Sequence, residues 1–367
     1  MNPIKQFNYK QMKNIFTKLF FAFAILLLIS ACSNNETKNK HQKRITKADT
    51  VDATNDFYDN AELYNLEMFD IEVVGEILNP GKVDLSKLPL HSVIVKETVL
   101  SDDGNKFIGA YRYDGYSLYD ILNNRKLNKK NENHFKPIID LYVEIENELG
   151  ESVKISWGEI FYPNHLPEII IASRVMRIVP SKTNELWELP KKSKLIIKND
   201  LFTERNISKP QKITVKSYDK KFKVEKGKNP LFSSEIKIYN EKNKPTIIST
   251  NPADIKNHTV HTIYYGRGRG IHSTEPFTGI YFKDLLQQYF PLTKESIMNG
   301  IFVIAADDGY RVVYTLSEIY NRNDQSEILL ICDQKAINNG IFKLFPSCDF
   351  FSDRAVKAIT EIHYSEK

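Results

Sequence analysis

The sequence predicts an α+β fold in which strands dominate, built as two tandem copies of one unit. The first observation is a series of short segments with alternating or continuous apolar residues, as expected for half-buried or buried strands. They are residues 71–74, 141–145, 169–171, 301–304 and 328–331. The second is one short helical pattern in each half of the chain. The third is that the same blocks recur in the same order in both halves, which indicates an internal repeat.

The clearest repeated block is a turn that leads into a short helix. Residues 113–122 read YDGYSLYDIL and residues 277–286 read FTGIYFKDLL, so the glycine, the aspartate and the final apolar pair coincide. The glycine is typical of a turn. We expect the helix to begin near Ser117 in the first half and near Tyr281 in the second, because apolar residues then recur at helical spacing.

Two further blocks follow in the same order. A strand and turn at residues 141–150 corresponds to residues 301–310, and each leads into a second strand and a short polar segment. Residues 199–205, NDLFTER, correspond to residues 348–354, CDFFSDR. This last block repeats an aspartate and an arginine five positions apart, which we interpret as a structural pair rather than as binding residues.

The N-terminal region has the features of an export signal. Residues 1–31 contain four lysines and no acidic residue, and their apolar run is shorter than the roughly 20 residues of a membrane span. The run ends in Ile-Ser-Ala-Cys, which resembles the lipobox of bacterial lipoproteins. We therefore expect a signal peptide and a lipidated N-terminus at Cys32. The alternative is an ordinary secretory signal with a chance cysteine.

The remaining chain divides into a tether and two domains. Residues 32–66 are rich in Asn, Lys, Thr and Asp and poor in large apolar side chains, so they predict a disordered tether. We expect the first domain at residues 67–218 and the second at residues 219–367. Cys332 and Cys348 fall in the second domain, and whether they form a disulfide is left open by the sequence.

The net charge of the chain and its expected export limit the classes of partner that it can bind. The formal charge of +5 includes the four signal-peptide lysines, so the mature chain is nearly neutral, which argues against nucleic-acid binding. The expected partners are a membrane through the lipid anchor, an anionic small molecule, and an envelope protein. Ser33 stands where an aspartate commonly retains lipoproteins in the inner membrane, so in a two-membrane cell the outer membrane is the expected location.

Several motifs resemble the molybdopterin-binding domain of sulfite-oxidase-type oxidoreductases. They are VGEILNPG at residues 74–81, the glycine-to-helix block, ADDGY at residues 306–310 and PSCDFFSDR at residues 346–354. The resemblance covers two copies, from about residue 69 to the C-terminus. It implies a sheet-rich, sulfite-oxidase-like fold for each copy, with molybdopterin as the cofactor that such a fold binds.

The residue that ligates molybdenum in that family is missing from both copies. The family uses a cysteine thiolate, but the first copy has Asp102 at that position and the second reads YYGRGRG at residues 264–270. A carboxylate or phenol is a hard ligand and does not replace a thiolate. Residues 1–31 also contain no arginine, whereas exported family members usually carry a twin-arginine signal. We therefore expect neither a bound metal nor a cofactor.

The best candidate binding site is the glycine-rich loop of the second copy. Glycines let the backbone approach a ligand, and guanidinium groups bind anions in two-pronged fashion. The candidate ligand-binding residues are His261, Arg267, Arg269, His272, Asp308 and Tyr310. The plain alternative is a surface loop with solvated arginines, and a metal site that includes His258 is a weaker one.

The corresponding place in the first copy holds an ordinary polar turn. Its residues are Asp102, Asn105, Lys106 and Arg112. The leading functional hypothesis is thus an exported lipoprotein that binds an anionic ligand with two catalytically degenerate domains. A molybdopterin-dependent oxidoreductase with an unusual ligand set and an envelope scaffold protein are the alternatives.

Overall fold

Strands form most of the regular structure in the computed structural model, which describes residues 61–102, 104–180, 182–240 and 244–367 of the chain. The sheet-rich character predicted from the sequence is confirmed, and the helices in the described ranges are short. Residues 61–367 form one compact unit. The signal peptide, Cys32 and the tether up to residue 60 lie outside the described residues.

The end of the predicted tether is part of the folded unit. Leu63–Asn65 forms the first strand, β1, and pairs antiparallel with the later strand Ile169–Arg177. Leu66 is buried in an apolar cluster with Val93 and Tyr113. The prediction that the tether extends to residue 66 is therefore wrong at this end, because these residues find both a strand partner and an apolar contact.

The first half of the unit contains two five-stranded sheets. Its further elements are β2 (Glu72–Gly75), β3 (Gly81–Lys82), β4 (His91–Ser101), β5 (Gly104–Ser117), α1 (Leu118–Asn123), β6 (Leu141–Asn147), β7 (Ser152–Ser156), α2 (Trp157–Phe161), β8 (Ile169–Arg177), β9 (Lys194–Ile197) and β10 (Pro210–Ser217). One sheet has the order β1-β8-β5-β4, with β9 also paired to β8, and the other has the order β3-β2-β10-β6-β7. A short 3₁₀ helix spans Leu85–Lys87.

The second half contains a five-stranded and a four-stranded sheet and a small hairpin. Its elements are β11 (Ile236–Tyr239), β12 (Thr246–Ile248), β13 (Asn257–Val260), β14 (Tyr264–Gly266), β15 (Gly270–Ser273), β16 (Phe277–Tyr281), α3 (Phe282–Leu286), α4 (Lys294–Asn299), β17 (Ile301–Ala306), β18 (Arg311–Thr315), α5 (Leu316–Tyr320), β19 (Ile328–Cys332), β20 (Phe342–Pro346) and β21 (Ile359–Ser365). The sheet orders are β12-β11-β21-β17-β18, β13-β16-β19-β20 and β14-β15. A 3₁₀ helix spans Ser352–Arg354.

Four strands in each half have the same order and the same directions. In the first half β10 pairs parallel with β2 and antiparallel with β6, which pairs antiparallel with β7. In the second half β21 pairs parallel with β11 and antiparallel with β17, which pairs antiparallel with β18. Each half also contains a glycine-bearing strand, β5 or β16, that runs into a short helix. This strand pairs with the strand that follows α2 in the first half, β8, or α5 in the second half, β19.

The polar segments after β7 and β18 are short helices, because each begins with a reciprocal cap. Ser156 accepts a hydrogen bond from the Glu159 N–H, and the Glu159 carboxylate accepts one from the Ser156 N–H. Thr315 and Glu318 make the same capping box at the start of α5. Each box satisfies two backbone donors that a helix leaves unpaired at its first turn.

Two buried arginines complete these caps. Arg205 binds Asp200 through two hydrogen bonds of 2.8 and 2.6 Å, and its Nη2 lies 2.7 Å from Glu159 Oε1. Arg354 binds Asp349 in the same way, at 2.8 and 2.6 Å, and its Nη1 lies 2.6 Å from Glu318 Oε1. Because neither guanidinium reaches water, each depends on these carboxylates for its stability in the folded chain.

The two arginine clusters are joined across the contact between the halves. The Thr315 hydroxyl donates to Glu159 Oε2 at 3.0 Å, and Arg205 Nη1 donates to the Thr315 hydroxyl at 3.3 Å. In the other direction, Arg354 Nη1 donates to the Ser156 hydroxyl at 3.1 Å. Each cap thus contacts the cluster of the opposite half, and we call these connected side chains the arginine network. They are Ser156, Glu159, Asp200, Arg205, Thr315, Glu318, Asp349 and Arg354.

The arginine network holds four carboxyl groups against two guanidinium groups. Burial raises the pKa of Glu318 to about 7 and the pKa of Asp200 to about 6, although the neighbouring arginines oppose both shifts. For Glu159, burial acts in the same direction, but the charge and hydrogen bonds of Arg205 outweigh it and lower the pKa. The folded chain therefore binds protons at Glu318 and Asp200 more tightly than the unfolded chain does.

This proton binding predicts a pH dependence of stability. A raised carboxyl pKa stabilises the fold at low pH, and that stability is lost as the pH rises from about 4.5 to about 7, the unfolded and folded values for Glu318. In the Glu318→Gln variant the amide stays neutral, so this loss, about 1–3 kcal/mol, should be missing from its unfolding free energy. Urea unfolding at a series of pH values measures it, with the exposed Asp254→Asn as the control. A wild type and variant that differ by a constant amount at every pH would contradict the assignment.

Candidate functional site

The predicted glycine-rich loop is the tip of a two-stranded hairpin. Strands β14 and β15 pair from Tyr264 to Ser273, and residues 267–269 connect them. Gly270 has a φ of +74°, a backbone conformation that favours glycine. At Gly266 a Cβ would lie 2.3 Å from Nε2 of the exposed His272 side chain, which would have to move. The glycines therefore shape the hairpin, and the arginines between them project from a fixed turn.

Arg267 and Arg269 differ in their surroundings. The Arg267 side chain is 64% exposed, and its Nε lies 3.7 Å from Asp353 Oδ2, which is a loose contact for an ion pair. Arg269 is also exposed, and it makes no ion pair within the described part of the chain. Arg267 is the better placed of the two to bind an anion, because it also lines a crevice described below.

The predicted histidines do not converge on one point. His272 lies on β15 with its ring 5.1 Å from that of Tyr264, and His261 is exposed between β13 and β14. His258 stacks instead on Tyr281, with ring centroids 3.8 Å apart. No group of His, Cys, Asp and Glu side chains in the described ranges has an arrangement that suits a metal ion.

Asp308 and Tyr310 each make a side-chain hydrogen bond within the protein. Asp308 Oδ1 accepts from the Tyr310 N–H at 2.9 Å and closes the turn after β17. The Tyr310 hydroxyl donates to the Asp353 carbonyl oxygen, so Tyr310 and Arg267 contact the same residue. Gly309 is needed in this turn, because its φ is +79° and a Cβ would lie 2.2 Å from the Lys223 carbonyl oxygen. The structure thus shows these residues holding the turn and the Asp353 segment.

The first-copy residues are not gathered into one site. Asp102, Asn105 and Lys106 are exposed at or beside the tip of the β4–β5 hairpin. Arg112 lies seven residues after Asn105 on β5, which places it about 23 Å from Asn105 at the usual rise per residue of a strand. There its Nε donates to Asp114 Oδ1 at 3.0 Å. The prediction that these four residues share a place is wrong, because β4 and β5 pair over their whole length and carry Arg112 away from the tip.

The crevice beside Arg267 is lined by residues of both halves, and four of them are aromatic. Its volume is about 90 Å³, and Arg267 and Asp353 lie on it. The other lining residues are Ile138, Ile139, Trp157, Gly158, Phe161, Tyr162 and Phe351. We call it the Arg267 crevice. These aromatic residues are not predicted from the sequence, because they approach Arg267 only in the folded chain. The one signal in the sequence is the helical spacing of Trp157 and Phe161.

Two features give the Arg267 crevice a defined chemistry. Trp157 and Phe161 stack at 4.3 Å with nearly parallel planes, so they offer a rigid apolar wall. The Tyr162 hydroxyl oxygen is buried and has no hydrogen-bond partner among the described residues. A buried polar atom without a partner is costly, typically about 1–3 kcal/mol. The arrangement suits a ligand with an anionic group and a small apolar part.

The described residues do not fit a molybdenum cofactor. Cys332 and Cys348 are both free, so they do not form a disulfide with each other. Cys348 is buried, and burial raises the pKa of its thiol, which disfavours the thiolate that a metal requires. Asp102, at the position of the family's cysteine, is exposed beside a hairpin tip.

Comparison with known proteins adds no identification. Neither the models of known protein families nor the curated proteins give a match to this chain. Within the described residues, no helix has both the length and the apolar character needed to cross a membrane.

Proposed function

We propose that this chain is a lipid-anchored protein of the cell envelope that binds a small anionic ligand in the Arg267 crevice. The observation that carries the proposal is an exposed guanidinium on a fixed hairpin, held only loosely by Asp353, at the rim of an aromatic crevice. A guanidinium keeps its charge at any physiological pH and matches the geometry of carboxylate, phosphate and sulfate groups.

The size of the crevice limits what it encloses. At about 90 Å³ it is below the range of about 300–1,000 Å³ typical of sites that enclose a whole drug-sized ligand. A ligand would therefore place its anionic end and a small apolar group in the crevice and leave the rest outside. Asp353 sets the selectivity, because a dianion close to this carboxylate is less favourable than a monoanion.

We further propose that the two halves are tandem copies of a sulfite-oxidase-like fold. The shared order and directions of the sheet strands support this, as do the paired capping boxes and the paired Asp–Arg contacts. Gly115 and Gly279 add a third correspondence, since a Cβ at either would meet a carbonyl oxygen of the neighbouring strand, at 2.2 and 2.5 Å. Among the described residues, the two cysteines do not suit a metal thiolate, which favours a binding protein over an oxidoreductase.

A scaffold that docks another envelope protein is the second candidate. Four large apolar side chains are exposed on or near the same hairpin: Ile263, Tyr265, Ile271 and Phe350. Exposed apolar clusters of this kind often mark protein contacts. An Ile271→Asp variant separates the two functions, because it should impair docking to a partner while the affinity for a small anion is kept.

The ligand proposal predicts a specific loss of affinity on removal of Arg267. Arg267→Ala should weaken binding of a small aromatic carboxylate such as benzoate by about 1–3 kcal/mol, the range for hydrogen bonds to charged groups. Isothermal titration of the purified mature protein measures this, with inorganic phosphate as a second probe. Arg269→Ala should have a smaller effect, since Arg269 does not line the crevice.

The matched control for this titration is Arg174→Ala, which removes an exposed arginine from β8. It should leave the affinity unchanged. Equal affinity of wild type and Arg267→Ala would show that the hairpin arginine is not a ligand contact.

The anchor proposal is tested separately at Cys32. Cys32→Ser should abolish lipid attachment, so that the protein is released from membranes or accumulates as unprocessed precursor. Membrane fractionation with mass spectrometry of the N-terminus measures this. Cys332→Ser is the control and should fractionate like the wild type. Recovery of Cys32→Ser as mature, lipid-modified protein would contradict the anchor.

A further inference from the structure

The β14–β15 hairpin carries a cluster of apolar side chains that the rest of the folded unit leaves exposed. Tyr265 and Ile271 lie directly opposite each other in the pairing of the two strands. Ile263, which comes just before β14, is 63% exposed, and Ile271 is 66% exposed. The ring of Tyr265 lies 6.1 Å from that of Phe350, which is also exposed. We call these four side chains the hairpin patch.

The opposite face of the hairpin packs on the folded unit. The ring of Tyr264 lies 5.5 Å from that of Phe345 and 5.7 Å from that of Phe277. Successive residues of a strand point to opposite faces, so the inward packing of Tyr264 turns Tyr265 outward. The hairpin patch is therefore held toward the solvent by the packing behind it.

The tip of the same hairpin is positively charged. Arg267 and Arg269 are both exposed, and residues 261–273 contain no acidic residue. An arginine can lay its apolar stem along an apolar surface while its guanidinium stays in a polar layer. Aromatic and aliphatic side chains next to basic ones are the combination that binds the interface of a bilayer, where the acyl chains meet the headgroups.

We propose that the hairpin patch and the two tip arginines form a contact surface for a bilayer that contains anionic lipids. The setting rests on the proposed lipid anchor at Cys32. Residues 33–60 separate Cys32 from the folded unit and span at most about 95 Å when fully extended. An anchored chain therefore keeps the hairpin at a high effective concentration near the bilayer, where even a weak contact is populated.

The size of the hairpin patch favours a lipid surface over a protein partner. A stable protein interface takes about 20–30 residues from each side, and the patch with its two arginines supplies far fewer. A bilayer needs no matched shape, and its anionic headgroups complement the charge of the tip. Because Arg267 belongs both to the tip and to the Arg267 crevice, the contact would hold the crevice close to the lipid surface.

The test measures lipid binding without the anchor, on the mature chain (residues 32–367) with Cys32→Ser. It should sediment with phosphatidylcholine vesicles that contain about one-third phosphatidylglycerol, and less with pure phosphatidylcholine. Adding Ile271→Asp should weaken binding to the anionic vesicles about tenfold, because a carboxylate then enters the interface. Adding Arg269→Glu should weaken it at least about fivefold on anionic vesicles and leave binding to neutral ones unchanged.

The matched control is Ile337→Asp, which changes a 92% exposed isoleucine between β19 and β20. It should bind vesicles like the parent chain, and circular dichroism establishes that each variant is folded. Absence of binding to the anionic vesicles would overturn the proposal. So would an Ile271→Asp chain that binds as tightly as the parent, which would leave the hairpin patch for a protein partner. Since these chains carry no lipid, neither result depends on the lipidation of Cys32, which the fractionation experiment tests.

Discussion

Arg205 and Arg354 place two permanent charges at the contact between the two halves of the folded unit, where neither guanidinium reaches water. Moving an ion out of water costs several kcal/mol, so each arginine is tolerable only with its full set of partners. Those partners come from the aspartate five residues earlier and from the cap of a short helix. The strands β7 and β18, which end at these caps, are thereby fixed relative to one another.

The proposed ligand site depends on this constraint. Gly158 lies on the Arg267 crevice and also touches Arg354, since a Cβ at Gly158 would lie only 2.3 Å from Arg354 Cζ. Arg354 lies at the end of the 3₁₀ helix that contains Asp353, the residue that contacts Arg267 and Tyr310. The same arginine therefore positions the aromatic wall on α2 and the segment that faces the hairpin. A substitution in the arginine network should therefore alter the shape of the crevice through these two contacts.

The sequence predicts the sheet-rich fold well, because its strands carry continuous or alternating apolar residues. The predicted segments at 141–145, 301–304 and 328–331 lie within β6, β17 and β19. The two Asp–Arg pairs are also structural, as their recurrence indicates. The short helices at Trp157 and Leu316 are harder to foresee, because they owe their start to a capping box rather than to a long apolar periodicity.

The candidate sites are predicted less well, since they depend on contacts between distant segments. The Arg267 crevice combines residues near 138, 157, 267 and 351, which no spacing in the sequence connects. The first-copy site fails because strand pairing moves Arg112 along β5 and away from Asp102.

The central claim is that the two arginine clusters act as one network across the halves. A double-mutant cycle on Glu159→Gln and Glu318→Gln, measured by urea unfolding at about pH 8, tests it most directly. Above the pKa of Glu318, about 7, both carboxylates are charged in the wild type and act on each other. We expect a coupling free energy of at least about 0.5 kcal/mol between the two substitutions. Effects that add to within about 0.3 kcal/mol would show two separate clusters and contradict it.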